Sequence, residues 1–166
     1  MPSMSGFVHA SVHTYWLLPE TAFLHGEPDF PPAWPMRTGL VVFAGSGVGV
    51  VTCGTDMGDV AVSIVRPEAQ DLDEWTEVVE YSVRLPSPLF VSTTQVEPPE
   101  IGPLAGRGFW RVRVCARRRD EAAAAGMLVP VPIEEHQFSA WPVGQLVKAA
   151  VIKGSDAWGA TAGRAL

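Results

Sequence analysis

Short apolar runs that alternate with a period of two are the feature that most constrains how this chain folds. The clearest runs are Glu77–Leu85 and Phe109–Ala116, in which apolar and polar residues alternate. Such alternation places successive side chains on opposite faces of a strand. Proline and glycine separate the runs, and no long helical period interrupts them. The pattern predicts an all-β fold built from many short strands.

We expect about eight or nine strands in a single-domain antiparallel β-sandwich or flattened barrel that spans residues 1–153. Residues 154–166 are predicted to form a flexible C-terminal tail. A short helical turn is expected at Glu121–Ala125. The predicted strands are Phe7–Leu18, Leu40–Ala44, Val48–Cys53, Val60–Val65, Glu77–Leu85, Leu89–Val96, Phe109–Ala116 and Glu135–Trp141, while Gln145–Lys153 fits either a strand or a helix.

One segment, residues 20–36, is rich in proline and interrupts the strand pattern. Four prolines within eight residues, from Pro28 to Pro35, predict an extended loop, because proline disrupts helices and central strands. The loop carries Phe30 and Trp34, and aromatic side chains in such a loop often pack over the open end of a sandwich or barrel.

Charge and composition narrow the classes of partner. The 166 residues carry a formal net charge of −6 and a pI near 5.1, which argues against nucleic-acid binding and favours a basic partner. No apolar stretch is long enough to cross a membrane, and the N-terminus does not resemble a secretory signal, so we expect a cytoplasmic protein. The ten arginines against two lysines are typical of a GC-rich bacterial genome.

Local motifs for catalysis or cofactor binding are weak. The glycines at 45, 47 and 49 precede a β-branched run, so they predict a hairpin and not a dinucleotide-binding turn. His9 and His13 lie too far apart on one strand to share a metal. The two cysteines, Cys53 and Cys115, are expected to be buried free thiols. We therefore predict no catalytic residue, metal or cofactor and lean against an enzyme.

Charged residues cluster in two segments. Six acids and no basic residue lie among the thirteen positions from Glu68 to Glu80, and six arginines lie between Arg107 and Arg119. Partial mutual neutralisation of the two segments is one interpretation, and a docking surface for another protein is a second. Contact of nucleic acid with the basic segment beside Phe109 and Trp110 is a third, which the net negative charge disfavours. On the docking interpretation, the expected contact residues are Asp71, Asp73, Glu74, Trp75 and Glu77.

Three blocks of sequence resemble a small bacterial family. They are Val12–Trp16; the pair Val60–Ile64 and Trp75–Val83; and Gly108–Cys115, followed after a loop by His136–Pro142. In order and spacing, between Phe7 and Trp141, they resemble the competence protein ComJ family, known as inhibitors of the DNA-entry nuclease. The resemblance implies a β-sandwich that neutralises a partner such as a nuclease or toxin, without catalytic residues of its own.

Two other functions stay open. Six tryptophans and the aromatic loop also fit a β-barrel that binds a small apolar ligand, as a cyclase or isomerase does, with a pocket at Tyr15, Phe30, Trp34 and Trp110. A structural or homo-oligomeric subunit joined through exposed sheet edges is the third alternative.

Overall fold

The computed structural model describes residues 3–24, 38–43, 47–93 and 101–165. It consists mostly of β-strands, with 53% strand and 15% helix. The predicted mostly β class is therefore confirmed. The strands are β1 (Met4–Ser11), β2 (Thr14–Pro19), β3 (Val41–Phe43), β4 (Gly49–Thr52), β5 (Met57–Ile64), β6 (Glu77–Leu85), β7 (Leu89–Ser92), β8 (Ile101–Ala105), β9 (Gly108–Arg117), β10 (Leu128–Val129), β11 (Glu135–Pro142) and β12 (Ala150–Gly154). The helices are α1 (Glu20–Leu24), α2 (Arg119–Ala124) and α3 (Ala157–Ala165).

All of these strands belong to one curled sheet that forms a half-barrel. The order along its main path is β12-β6-β9-β11-β5-β1-β2-β4-β3, with β10 beside β5, β7 beside β2, and β8 beside β7. Most pairs are antiparallel, whereas β11 and β10 both run parallel to β5. The sheet is thus mixed, and its curl separates an inner face that encloses the core from an outer face.

The predicted alternation places the core correctly in the central strands. Val79, Tyr81 and Val83 of β6 are buried in the main apolar cluster, together with Val112 and Val114 of β9. These two strands pair in antiparallel register over their full length. Their opposite faces carry the arginines and carboxylates, which lie on the outer side of the half-barrel.

The first predicted strand, Phe7–Leu18, is wrong as a single element. It is a hairpin of β1 and β2, joined at Val12 and His13, whose φ angles are 53° and 60°. Both residues are left-handed, as a type I′ turn requires. The turn reverses the alternation, so that Tyr15 is buried and Val12 is 73% exposed. The single strand predicted for Phe7–Leu18 is therefore broken by the turn.

Other boundaries also differ from the predictions. Helix α1 occupies the start of the segment expected to be a loop, and the segment expected to be a C-terminal tail contains the end of β12 and helix α3. Strand β8 was not predicted because Gly102 and Pro103 interrupt its alternation. Proline is tolerated there because β8 pairs only with β7 and lies at an edge.

Candidate functional site

The connection between β5 and β6, residues 66–76, lies on the outer face of the sheet and is called the acidic loop below. It contains two 3₁₀ turns, Pro67–Ala69 and Leu72–Glu74. The Asp71 carboxylate accepts a hydrogen bond from the Asp73 amide at 3.0 Å and so caps the second turn. This cap fixes the backbone that presents the exposed carboxylates.

Gln70 anchors the acidic loop to the sheet. Its side-chain amide nitrogen donates to Cys115 Sγ at 3.6 Å. Its side-chain oxygen accepts from Ser139 Oγ at 2.6 Å and from the Arg113 guanidinium at 3.3 Å. Since Cys115 and Arg113 belong to β9 and Ser139 to β11, one side chain ties the loop to two adjacent strands.

A small apolar cluster holds the C-terminal end of the acidic loop. Trp75 packs with Val78 and Cys115, and Leu72 closes the cluster. The Arg117 guanidinium lies over the Trp75 ring, with its carbon 4.9 Å from the ring centroid. Trp75 is consequently only 5% exposed and supports the loop from beneath.

A groove of about 430 Å³ runs beside the acidic loop across the outer face. Phe7, which is 57% exposed, forms part of its lining. Arg117 crosses the groove and bonds Glu135 at 2.7 Å and Glu74 at 3.6 Å. The groove is lined by Ser5, Gly6, Phe7, Ala61, Val62, Ser63, Glu74, Trp75, Arg117, Glu135, His136 and Gln137.

The five residues expected to contact a partner separate into two groups. Asp71, Asp73 and Glu74 are exposed on the acidic loop. Trp75 is buried beneath it, and Glu77, at the start of β6, is 2% exposed and points into the interior. The solvent-facing part of the predicted surface is therefore Asp71, Asp73 and Glu74, extended by the exposed Glu68.

Most of the arginine cluster is paired with acids of its own chain. Glu80 bonds Arg111 at 3.2 Å and Arg113 at 2.7 Å across β6 and β9. Further along β9, Arg117 bonds Glu74 and Glu135. These contacts fit the predicted partial neutralisation. Because Glu68, Asp71 and Asp73 lie outside the arginine ion pairs of the described chain, the acidic loop keeps an excess of negative charge.

A second polar cluster lies inside the half-barrel. A hydrogen bond joins the Tyr15 hydroxyl to His136 Nδ1, and His136 Nε2 donates to Glu134 Oε1 at 2.7 Å. The other Glu134 oxygen accepts from the Thr55 amide at 2.8 Å and from its hydroxyl at 2.9 Å. These four side chains are at most 1% exposed, so the cluster ties β2 to β11 within the core and presents no group to solvent.

Two pKa shifts follow from this burial. Burial, with the neighbouring Cys53 and Glu134, raises the pKa of the Tyr15 hydroxyl well above its usual value. Burial also acts to raise the pKa of Glu134, but contacts with His136, the Thr55 amide and Arg119 outweigh it and hold that pKa below its usual value. Tyr15 therefore stays protonated while Glu134 stays ionised.

Arg119 extends the interior cluster to the C-terminal segment. Its Nε lies 3.9 Å from Glu134 Oε1, and its Nη2 donates to the Gly39 carbonyl at 2.7 Å. Its Nη1 lies 3.3 Å from Asp156 Oδ2. The backbone amide of Asp156 donates in turn to Glu77 Oε1 at 2.9 Å. This cluster was missed by sequence reasoning, although Glu134 and His136 share the inward parity of Phe138 on β11.

The residues predicted to line an apolar pocket are only partly described. Tyr15 is fully buried in the interior cluster, and Trp110 packs against the main core. Phe30 and Trp34 lie outside the described residues, as does the predicted turn at Gly45 and Ser46. The pocket therefore stays a prediction.

Both cysteines are buried and free, as predicted. Burial raises the pKa of Cys115 to about 12, with Arg113 lowering it and Glu80 raising it by smaller amounts.

Within the described ranges, no group of three His, Cys, Asp or Glu side chains is placed to hold a metal ion. His9 bonds Asp59 at 3.1 Å on the outer face. None of the described helices is long and apolar enough to span a membrane.

In comparisons with known proteins, no family model, no curated protein and no solved structure matches this chain.

Proposed function

We propose that this protein is a non-enzymatic protein-binding module whose acidic loop docks on the basic surface of a partner protein in the cytoplasm. The observation that carries the proposal is the exposure of Asp71, Asp73 and Glu74 on a loop that Gln70 and Trp75 hold against the sheet. A surface fixed before binding loses little conformational entropy when its partner docks.

The negative charge of this surface determines which class of partner it can bind. The net charge of −6 and the unneutralised carboxylates of the acidic loop attract a positively charged protein and repel phosphate backbones. Complementary charges also speed association more than they raise affinity. A nuclease that holds phosphates has a basic active site, so an acidic surface of this kind can occupy it in place of the substrate. The resemblance to the ComJ family points to the same class of partner.

The groove beside the acidic loop supplies the apolar part of the proposed interface. Exposed Phe7 lies in its lining together with Glu74 and Glu135, which both pair with Arg117. Interfaces commonly combine a desolvated aromatic contact with a polar rim. We propose that the partner inserts a basic or aromatic side chain into this groove while the acidic loop contacts the surrounding positive surface.

Affinity capture from a lysate of the source organism, compared between wild type and a charge-reversed variant, tests the proposal. The variant Asp73→Lys/Glu74→Lys leaves the Asp71 cap in place. Its matched control is Glu20→Lys/Glu121→Lys, which changes the net charge equally at exposed positions outside the groove.

Wild type and the control variant are expected to retain one basic protein in a one-to-one ratio, and the reversed variant is expected to lose it. Equal retention by both variants would remove the acidic loop from the interface. Capture of an acidic protein or of nucleic acid would contradict the proposed partner class.

A further inference from the structure

Helix α3 is docked against the rest of the protein by contacts at its N-terminal end. The amides of Ala157 and Trp158 donate to the Asp120 carboxylate at 3.0 and 2.8 Å. The Trp158 ring stacks on His13, with 4.6 Å between the ring centroids. The helix therefore joins α2 to the β1–β2 turn.

Beneath this end of α3 lies a buried group of three ionisable side chains, called the latch below: Glu77, Arg119 and Asp156. Asp156 bonds Arg119 and caps α3 by accepting from the Gly159 amide at 2.6 Å. Glu77 accepts from the Asp156 amide. The three residues come from β6, α2 and the segment before α3, so the latch holds the C-terminal segment to the half-barrel.

Helix α3 packs closely against the backbone at Gly39. A Cβ atom placed on Gly39 would lie 2.7 Å from the Gly159 carbonyl oxygen. Gly159 and Asp156 are both buried, whereas Ala157 and Ala160 face solvent. An additional charge in the latch is therefore largely shielded from solvent.

We propose that α3 is a pH-sensitive strap, which the latch holds closed while Glu77 is protonated and releases when Glu77 ionises. The Arg119 guanidinium already faces the carboxylates of Glu134 and Asp156, so an ionised Glu77 adds a third negative charge to this buried group. When both are ionised, the carboxylates of Glu77 and Asp156 repel each other, because the hydrogen bond from the Asp156 amide to Glu77 holds them close together. Undocking relieves this repulsion because Asp156 moves away with α3.

The direction of the pKa of Glu77 agrees with this geometry. Burial, followed by the Asp156 carboxylate, raises the pKa of Glu77 from 4.5 to about 7, against the opposing contributions of the Asp156 amide and Arg119. A group whose pKa is raised in the docked state contributes stability that is fully present below its ordinary pKa. That contribution is lost as the pH rises through about 7. The strap is therefore most tightly docked in mild acid.

Several ionisable groups of the described chain face the docked end of the strap. Arg119 and Asp156 lie against Glu77, and Glu134 with His136 lies behind Arg119. Asp120 caps the first amides of α3, and His13 stacks on Trp158. His13 is the imidazole that contacts the strap, so an experiment has to separate its contribution from that of Glu77.

Release of the strap would expose the Arg119 guanidinium, which is fully buried in the docked state. The proposed device lies at the C-terminal segment and does not use the exposed carboxylates of the acidic loop. It therefore stands or fails independently of the proposed function.

Hydrogen exchange on the full chain measures strap docking directly. The amides of Ala157, Trp158 and Gly159 are protected only while α3 is docked and capped. Their protection factors, corrected for intrinsic exchange, report the equilibrium between docked and released strap. If the pKa of Glu77 returns to 4.5 on release, protection falls roughly 30-fold between about pH 5.5 and about pH 8.5.

Variants identify the group responsible. Glu77→Gln keeps an oxygen for the Asp156 amide but cannot ionise, and is expected to make protection independent of pH. His13→Gln is expected to behave like wild type. Should Glu77→Gln fail to fold, Asp156→Asn serves instead. Without the Asp156 charge the pKa of Glu77 is raised less, so the fall in protection is expected to be smaller and to end at a lower pH than in wild type.

Amides in the centre of β9, such as that of Val114, are the internal control and are expected to keep their protection throughout the pH range. A wild-type strap with pH-independent protection would overturn the proposal. A pH dependence that persists in Glu77→Gln and disappears in His13→Gln would assign the switch to His13 and also overturn it.

Discussion

Arg118 and Arg119 are adjacent in the sequence but lie in opposite environments. Arg118 is exposed and bonds the exposed carboxylate of Glu121 at 2.8 Å. Arg119 is fully buried, where it faces Glu134 and Asp156 and donates to the Gly39 carbonyl. The change of direction occurs at Arg118, whose φ of 64° is left-handed and turns the chain from β9 into α2.

This relationship provides a matched pair of substitutions. Arg119→Met leaves the Glu134 and Asp156 carboxylates buried without their guanidinium, and it is expected to lower the free energy of unfolding by about 3–5 kcal/mol. Arg118→Met removes only an exposed ion pair and is expected to leave stability nearly unchanged. Urea unfolding of both variants checks the prediction, and equal effects on the two would show that the interior ion pairs contribute little.

The β1–β2 turn contains a strained residue. Val12 is β-branched and left-handed, a conformation that asparagine adopts at lower cost, and its side chain is 73% exposed. Val12→Asn is therefore expected to raise the free energy of unfolding by about 1 kcal/mol. The same change at exposed Val131 is the control, expected to stay within about 0.5 kcal/mol of wild type. A loss of stability in Val12→Asn would indicate that the Val12 side chain makes a stabilising contact.

Gly54 marks the closest approach of the β4–β5 connection to α2. A Cβ atom at Gly54 would lie 1.9 Å from the Arg119 carbonyl oxygen, so backbone would have to move. Gly54→Ala is expected to cost about 3 kcal/mol of stability. Gly144 has no neighbouring atom within 4 Å of such a Cβ, and Gly144→Ala is expected to be neutral. Thermal unfolding distinguishes the two, and a fully stable Gly54→Ala protein would contradict the packing of Arg119 against this turn.

The sequence predicted the strands that have uninterrupted alternation. Glu77–Leu85 was predicted with its observed bounds, because its alternation is unbroken and every second residue from Glu77 to Leu85 is buried. The β1–β2 hairpin was missed because Val12 and His13 lack the Asn-Gly signature of a type I′ turn. Alternation continues across them in the sequence even though the chain reverses direction.

The candidate site could be predicted only in part. A run of acids identifies Asp71, Asp73 and Glu74, but local sequence does not show which acids lie inside. Glu77 belongs to the same run and is buried, because it occupies an inward position of β6 and meets Asp156, 79 residues away along the chain. The interior contacts of Tyr15 with His136 likewise join residues 121 positions apart. Only the folded sheet brings such pairs together.

The rate of association between the protein and its captured partner, measured at low and high salt, tests the central claim most directly. For wild type and for Glu20→Lys/Glu121→Lys, association is expected to be fast at low salt and to slow steeply as salt is added. Asp73→Lys/Glu74→Lys is expected to associate at least about tenfold more slowly at low salt, with a weakened salt dependence and near wild-type thermal stability. Equal rates and equal salt dependence in the reversed and control variants would contradict docking through the acidic loop.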